Sequence, residues 1–185
     1  LATCRLCAAV AEASARDVPV LAEVDVVVAG GSSAAVAAAC AASDAGVRVM
    51  MVAPRPYVGD DLCGQQALWL EPGETPDSEL ARALFPEGRV TTPFTVKRAL
   101  DQALLKHGVR WLTGCCPTEL LAGGTNRAGG LIVVNRSGSQ AVFAKAVIDA
   151  TPFALLARQS DASFRDFVPG ERALQFVVVG GTVQS

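Results

Sequence analysis

The sequence predicts an α/β fold built on a parallel sheet, and three consecutive features near its start support this. A β-branched run, Val24–Ala29, leads into a glycine-containing turn, which is followed by an alanine-rich stretch over Ala34–Ala45. Gly46 ends that stretch, and a second apolar run, Val47–Val52, follows it. A strand, a helix and a second strand in this order place the two strands parallel, so a right-handed crossover and a doubly wound sheet are expected.

The middle of the chain is predicted to leave the sheet and return through a helix. Between Ala53 and about Thr92 proline, glycine and acidic residues break the pattern, with one short helix over Ser78–Leu84. The segment Thr95–His107 has its apolar side chains at the spacing of one helical face, and Gly108 marks its end.

The following segment predicts a small antiparallel meander and then a returning strand. Glycine-rich turns separate four short runs with strand composition: Val109–Leu112, Glu119–Leu121, Leu131–Asn135 and Ala141–Phe143. Ala146–Thr151 is expected to rejoin the parallel sheet. A helix is expected from Pro152 to about Arg158, followed by a last apolar strand over Leu174–Gly181.

Composition excludes several function classes. Apolar residues make up 51% of the 185-residue chain, which is enough for a packed core. The net charge of -2 leaves no basic face for nucleic acid, and no apolar run approaches the length of a membrane-spanning helix. The six cysteines show no disulfide framework and the start of the chain does not resemble a signal peptide, so a cytoplasmic protein is expected.

Two isolated features have ordinary structural interpretations. Cys4 and Cys7 form a CxxC motif, but a second ligand pair at useful spacing does not follow, so no metal site is predicted and an amino-terminal helix is favoured. His107, the one histidine, stands at a helix end, where a positive charge is favourable, and a surface role there is preferred to catalysis.

The glycine-containing turn carries the strongest functional signal. A strand that delivers such a turn into a helix directs backbone N–H groups and the positive helix end toward a pyrophosphate. The three positions of the GxGxxG pattern are occupied here by Gly30, Ser32 and Ala35. Ala35 is a mild change. Ser32 brings a side chain to the place where phosphate usually meets bare backbone, although its hydroxyl is a hydrogen-bond donor. A turn that binds no nucleotide is the alternative interpretation.

The end of the second strand departs from the same pattern. Dinucleotide-binding folds usually place a carboxylate there to bind the adenosine ribose, whereas this chain has Ala53 followed by Pro54 and Arg55. Either backbone and Arg55 hold the ribose, or the nucleotide pocket has degenerated. Arg55 is open to three roles: the ribose contact, a phosphate contact, or that of a solvated loop cation.

Taken in order, these segments resemble the FAD-dependent oxidoreductases of the glutathione-reductase structural type. The stretch Asp25–Ala39, DVVVAGGSSAAVAAA, is similar to the family's DVVVVGGGPAGVAAA. The similarity continues through Val49–Arg55, the loop Val58–Gly64 and the segments up to Ala144–Thr151, which matches the family's AxxVIxATG ending with Pro152 in place of its glycine. The resemblance implies a Rossmann-like FAD-binding domain with a parallel sheet and a small antiparallel meander.

The resemblance also implies which residues approach FAD. Gly30, Gly31, Ser32 and Ser33 are expected at the pyrophosphate, Pro54 and Arg55 near the adenosine ribose, the backbone of Cys116 and Pro117 at the adenine edge, Asp61, Leu62, Cys63 and Gly64 at the flavin end, and Ala150 and Thr151 over the ADP part. Cys63 has no nearby partner cysteine, so a packed loop thiol is preferred to a redox thiol. No catalytic acid or base is assigned.

The domain organisation and partners follow from the same resemblance. An amino-terminal arm is expected over residues 1–23, the FAD-binding domain over 24–158, and the start of a substrate domain over 159–185. Because the family's remaining segments fall beyond residue 185, a second polypeptide, either a separate subunit or a cleavage product, is expected to complete the fold. The expected activity is hydride transfer between a small-molecule substrate and flavin. A non-catalytic subunit with a degenerate pocket is the alternative, and an NAD(P)-binding module is a weaker third.

Overall fold

The computed structural model describes residues 16–123, 128–160, 162–166, 168–171 and 180. Its helices and strands follow in the order β1 (Val20–Ala29), α1 (Ser33–Asp44), β2 (Val49–Ala53), α2 (Asp60–Cys63), α3 (Glu79–Leu84), α4 (Pro93–Lys106), β3 (Arg110–Thr113), β4 (Cys116–Ala122), β5 (Ala128–Asn135) and β6 (Gly138–Asp149). Two 3₁₀ turns, Pro152–Ala154 and Ala157–Gln159, come after the last of these strands.

All six strands form one mixed sheet in the order β3-β2-β1-β6-β5-β4. β1 lies parallel to both β2 and β6, and β2 lies parallel to β3. The other two pairings, β4 with β5 and β5 with β6, are antiparallel. The predicted fold class, an α/β domain with a parallel sheet and an antiparallel meander, is therefore confirmed.

Three of the predicted strands are corrected by the pairing. The segment predicted as the first meander strand, Val109–Leu112, belongs to β3, which extends the parallel sheet; it follows the helix α4, and a helical crossover returns the chain in the same direction. The predicted strands Ala141–Phe143 and Ala146–Thr151 are one strand, β6. No proline or glycine separates them, and β6 pairs with β1 from Ala141 to Asp149 while its first half also pairs with β5.

Capping residues set where three of the helices begin. Ser32 caps α1, Ser78 caps α3 and Thr92 caps α4, each with a side-chain oxygen that accepts a backbone N–H three residues later. The short helix α2 was not predicted from the sequence. His107 lies at the carboxyl end of α4, as expected, and its Nδ1 is 2.5 Å from Oδ1 of Asp44 at the end of α1.

The core occupies both faces of the sheet. On one face the side chains of α1 and α4 pack against alternate strand residues, among them Val28 and Met51. On the other face Val27 and Val52 pack with the meander residues Leu131, Val133 and Val142. Because both faces of β1 and β2 are covered, their sequences are continuously apolar rather than alternating.

The chain after β6 does not form the predicted helix to Arg158. The carboxylate of Asp149 accepts hydrogen bonds from the backbone N–H groups of Thr151, Leu156 and Ala157, and this holds the segment as two 3₁₀ turns. Phe153 and Ala154, in the first of those turns, adopt positive φ angles of 63° and 53°. Local hydrogen bonds to a short acidic side chain thus replace a regular helix.

Some predictions concern residues outside the described part of the chain. These are the amino-terminal helix with its Cys4 and Cys7, and all of the Leu174–Gly181 strand except Gly180. Among the residues that the structure describes, no helix is long and apolar enough to span a bilayer, and no group of histidine, cysteine and acidic side chains is arranged to hold a metal ion.

Candidate functional site

A groove of about 470 Å³ opens where three parallel strands end. β1, β2 and β6 run in the same direction, and the residues that follow their carboxyl ends meet at one edge of the sheet. This is the usual place for a ligand in an open α/β sheet. The groove is lined by Gly30, Gly31, Ser32, Pro54, Arg55, Asp60, Asp61, Gln65, Ala150, Thr151 and Pro152.

Gly30 makes the turn possible because its backbone lies against the end of β6. Its φ angle is +137°, and a Cβ at this position would stand 2.3 Å from the carbonyl oxygen of Ala150. The N–H of Gly30 donates to the carbonyl of Val52 at 2.9 Å, so the turn is also tied to β2. Only glycine fits between these strands without a backbone shift.

The two residues after Gly30 form the floor of the groove. A Cβ on Gly31 would lie 3.1 Å from the Cβ of Ala53, so the chain is tightly packed there as well. Ser32 caps α1, and its Oγ accepts the N–H of Ala35 at 3.1 Å. A serine oxygen that accepts one bond keeps its own proton to donate, so Ser32 is able to hydrogen-bond a phosphate oxygen while it caps the helix.

A carboxylate occupies the amino-terminal end of α1. Oδ1 of Asp61 accepts the backbone N–H of Ser33 at 2.9 Å, and Oδ2 accepts the hydroxyl of Ser33 at 2.5 Å. The first turn of α1 contains no acidic residue of its own. Asp61 therefore supplies the negative charge that the positive end of a helix favours.

The position of Asp61 is fixed by the loop that carries it. Gly59 precedes α2, and its N–H donates to the carbonyl of Gly31 at 2.6 Å. Gly59 has a φ angle of +86°, and a Cβ on it would be 2.7 Å from Cδ1 of the fully buried Leu100. Close packing against α4 thus holds the start of α2 against the turn.

The end of β2 confirms the departure from the dinucleotide pattern. Ala53 is fully buried, and its carbonyl accepts the N–H of Cys115 at 3.0 Å. The next exposed side chain, Arg55, lines the groove, and its carbonyl accepts the N–H of Gly114. In the described part of this strand end, Arg55 is the side chain available to a ribose or phosphate.

The opposite wall is ordered by Asp149. Its Oδ1 accepts both the N–H and the hydroxyl of Thr151, at 2.9 and 2.6 Å. Burial of Asp149 opposes ionisation, but the hydrogen bonds from Thr151, Ala157 and Leu156 outweigh it and hold the pKa of this carboxyl below its ordinary value. Asp149 is thereby a fixed anion that positions Thr151 at the groove.

The structure brings together most of the predicted site residues. Eight of them line the groove: Gly30, Gly31, Ser32, Pro54, Arg55, Asp61, Ala150 and Thr151. Ser33 is not part of the groove lining, but it donates a hydrogen bond to Asp61, which is. Asp60, Gln65 and Pro152 also line it and were not predicted, although each directly adjoins or lies one turn away from a predicted residue.

The remaining predicted residues lie away from the groove lining. Leu62, Cys63 and Gly64 continue α2 past Asp61, while Cys116 and Pro117 begin β4. Sγ of Cys63 is 3.7 Å from the carbonyl of Pro93, and burial raises the pKa of its thiol, consistent with a packed loop thiol. Pro117 is buried and Cys116 is exposed.

The backbone of the groove suits a dinucleotide pyrophosphate, but the net negative charge of its side chains repels one. The glycine turn, the capping hydroxyl of Ser32 and the amino-terminal end of α1 are the groups that bind phosphate in such folds. The charged groove residues, however, are two carboxylates, Asp60 and Asp61, and one cation, Arg55. The turn thus has the backbone of a pyrophosphate site, while Asp61 already accepts both donors of Ser33.

Comparison with solved structures shows that the fold is a known one. The chain is similar to the THI4 protein of Thermovibrio ammonificans, with 17% identity, a TM-score of 0.57, and coverage of 74% of this chain and 61% of that protein. It is similar to a geranylgeranyl bacteriochlorophyll reductase-like protein of Thermoplasma acidophilum, with 15% identity, a TM-score of 0.56, and coverage of 76% and 42%. It is also similar to the OxyS anhydrotetracycline hydroxylase of Streptomyces rimosus, with 15% identity, a TM-score of 0.50, and coverage of 74% and 33%.

The chain therefore spans less than two thirds of the length of each of these proteins. At such low identity the likeness establishes the fold alone. None of the curated proteins compared with the chain matches it.

A family model gives the assignment that these likenesses cannot. The model described as FAD dependent oxidoreductase matches residues 25–166, which include the whole groove and all of the sheet except the first half of β1. The match confirms the predicted cofactor, FAD, and indicates an oxidoreductase. This chain belongs to the FAD dependent oxidoreductase family.

Proposed function

We propose that the chain is the FAD-binding portion of an oxidoreductase of the glutathione-reductase structural type, which passes hydride between a small-molecule substrate and flavin. The observation that carries the proposal is the Gly30 turn: it is pressed against Ala150 at the carboxyl edge of the sheet, and it opens the groove beside the start of α1. This arrangement suits the binding of a pyrophosphate, and the family match indicates that the cofactor with this pyrophosphate is FAD.

In this proposal different residues of the groove bind different parts of the cofactor. Gly31 and Ser32 bind the pyrophosphate through backbone N–H and hydroxyl groups, and Arg55 binds the ribose or a phosphate oxygen. Ala150 and Thr151 close over the ADP part. The flavin, when bound, supplies the hydride chemistry, while the protein supplies orientation and an electrostatic environment.

Residues beyond the groove lining have more distant roles in the same proposal. Leu62, Cys63 and Gly64 flank the flavin end through α2, which is anchored at Gly59. The backbone of Cys116 and Pro117 approaches the adenine edge from the start of β4. A change in the NMR chemical shift of the Cys116 amide when adenosine is added would support the assignment, and an unchanged shift would contradict it.

The substrate pocket is proposed to be completed by protein outside the described residues, in our hypothesis a second polypeptide. Large apolar side chains after β6 support this, because Phe153 is 88% exposed and Phe164 and Val168 are also exposed. Large apolar side chains left exposed to water favour a partner surface that covers them. A cytoplasmic location is part of the proposal, since the described cysteines Cys40, Cys63, Cys115 and Cys116 are free thiols.

The visible absorption spectrum of the natively purified protein tests the proposal. A two-banded flavin spectrum that is released by acid precipitation is expected, because the family's cofactor is bound here by backbone and polar groups. Colour that stays in the pellet would instead show a covalent link. A protein that stays colourless after incubation with FAD would overturn the proposal.

A non-catalytic subunit with a degenerate pocket is the second candidate. It is favoured by the missing ribose carboxylate at Ala53 and by the carboxylate of Asp61 at the phosphate position. The two candidates differ in their prediction for the FAD titration. The non-catalytic subunit binds no FAD at any FAD concentration, whereas the binding of FAD to the oxidoreductase reaches saturation.

A further inference from the structure

The strongest unassigned feature is the carboxylate at the start of α1. Asp61 makes two hydrogen bonds to Ser33, one to its N–H and one to its hydroxyl. Both donors lie in the turn that the cofactor's pyrophosphate is expected to contact. A carboxylate and a phosphate oxygen cannot accept the same N–H at full strength, and at close range they repel each other.

We infer that Asp61 is an internal competitor of the pyrophosphate, which lowers the affinity of the groove for FAD and for other diphosphate ligands. The inference rests on the proposed function, since it concerns the same groove. It assigns to Asp61 the role of an affinity-determining residue. The cofactor enters only when the Asp61 carboxylate leaves Ser33.

The contact is built into the loop rather than formed by chance. Gly59 holds the start of α2 through its 2.6 Å hydrogen bond to Gly31 and through the close approach to Leu100. Asp61 follows two residues later, on the first turn of α2. A carboxylate at this point is therefore delivered to the helix end by packed backbone, and its removal from Ser33 requires a side-chain rotation or a movement of α2.

Charge in the groove strengthens the competition. Asp60 lines the same groove, and Arg55 is the one cation among the groove-lining residues of the described chain. An incoming pyrophosphate adds two negative charges to a site whose side chains already have a net charge of minus one. Removal of the Asp61 charge leaves the groove balanced and weakens the hold on the Ser33 donors, because a neutral amide oxygen is a poorer acceptor than a carboxylate.

The test is a series of equilibrium titrations of the full chain with FAD, ADP and adenosine. Asp61→Asn keeps the size of the side chain and removes its charge. We expect it to bind FAD and ADP about tenfold more tightly than the wild type, while adenosine, which has no phosphate, binds equally to both. Thermal unfolding without ligand provides the second readout, and Asp61→Asn is expected to melt at a lower temperature because α1 loses its anion.

Asp60→Asn is the matched control, because Asp60 lines the same groove and has the same charge but does not make the Ser33 contacts. It is expected to tighten ADP binding about two- to threefold, the size of a screened charge effect. Equal gains from the two variants would show a general charge effect and overturn the competition at Ser33. FAD binding to Asp61→Asn that is equal to or weaker than that of the wild type would also overturn it.

The wild type alone gives an independent measurement if Asp61→Asn does not fold. With the competitor in place, ADP is expected to bind no more tightly than adenosine; ADP that binds ten times more tightly would contradict the inference. Failure of the proposed function has a different signature: neither the wild type nor any folded variant would bind FAD, ADP or adenosine.

Discussion

The carbonyl oxygen of Ala150 lies 2.3 Å from the point where a Cβ on Gly30 would stand. Gly30→Ala therefore forces β1 and β6 apart, and it also places a side chain at a φ angle of +137°. We expect a loss of about 3 kcal/mol or more in the free energy of unfolding, together with loss of FAD retention. Urea unfolding and the visible spectrum of the purified variant measure the two effects.

Gly46→Ala is the control for this experiment. Gly46 also has a positive φ angle, +79°, but a Cβ there would meet no atom within 4 Å. Gly46→Ala should lower the free energy of unfolding by only about 1 kcal/mol, the strain of the left-handed conformation, and should leave FAD retention unchanged. Equal destabilisation by the two variants would contradict the close packing of the turn against β6.

Ser32 is expected to have two separable roles. Ser32→Ala removes the cap of α1, which costs about 1 kcal/mol of stability, and it also removes a hydroxyl donor from the groove. FAD affinity should fall about tenfold or more, the value of one hydrogen bond to a charged group. Fluorescence titration with FAD and urea unfolding are the measurements.

Ser78→Ala separates the two roles of Ser32. Ser78 caps α3 with the same 3.1 Å hydrogen bond but does not line the groove. It is expected to lose a similar amount of stability and no FAD affinity. An equal loss of affinity in both variants would mean that Ser32 acts only through the stability of the fold.

Asp149 makes stability depend on pH in a defined window. Its folded-state pKa is lowered, so the unfolded chain binds the proton more readily than the folded chain does. The stabilisation is fully present above the ordinary aspartate pKa of about 4 and is lost as the pH falls through the lower folded value. Asp149→Asn should lower the free energy of unfolding by about 2 kcal/mol at neutral pH, because the part-buried charge that accepts four hydrogen bonds is gone.

Urea unfolding of the wild type and Asp149→Asn between pH 7 and about pH 2 measures this linkage. The difference in stability between them should shrink as the pH falls below about 4. A difference that stays constant down to the lowest pH would show that ionisation of Asp149 contributes nothing.

The interior of α4 tests the placement of the core. Leu100 is fully buried between the sheet and the Gly59 loop, so Leu100→Ala should cost about 2 to 5 kcal/mol and loosen the loop that carries Asp61. Leu105 lies on the same helix and is 67% exposed. Leu105→Ala should stay within about 0.5 kcal/mol of the wild type, and thermal unfolding of both variants checks the pair.

Much of the fold could be predicted from the order of the segments. The helix boundaries follow from capping residues such as Ser32 and Thr92, because a side-chain oxygen three residues before a backbone N–H is a local signal. The first parallel unit follows from apolar strands on either side of α1. The place of β3 was predicted wrongly, because a short strand does not show in its own residues whether its partner is β2 or β4.

The sequence by itself determined the glycine turn, the missing carboxylate at Ala53 and the family to which these belong, because all three depend on residue identity at fixed spacing. Only the tertiary structure decided that Asp61 reaches Ser33, a residue 28 positions away. That contact depends on the packing of Gly59 against Leu100 and on its hydrogen bond to Gly31. Long-range packing of this kind leaves no periodic signal along the chain, so only the folded arrangement shows which carboxylate meets the positive end of α1.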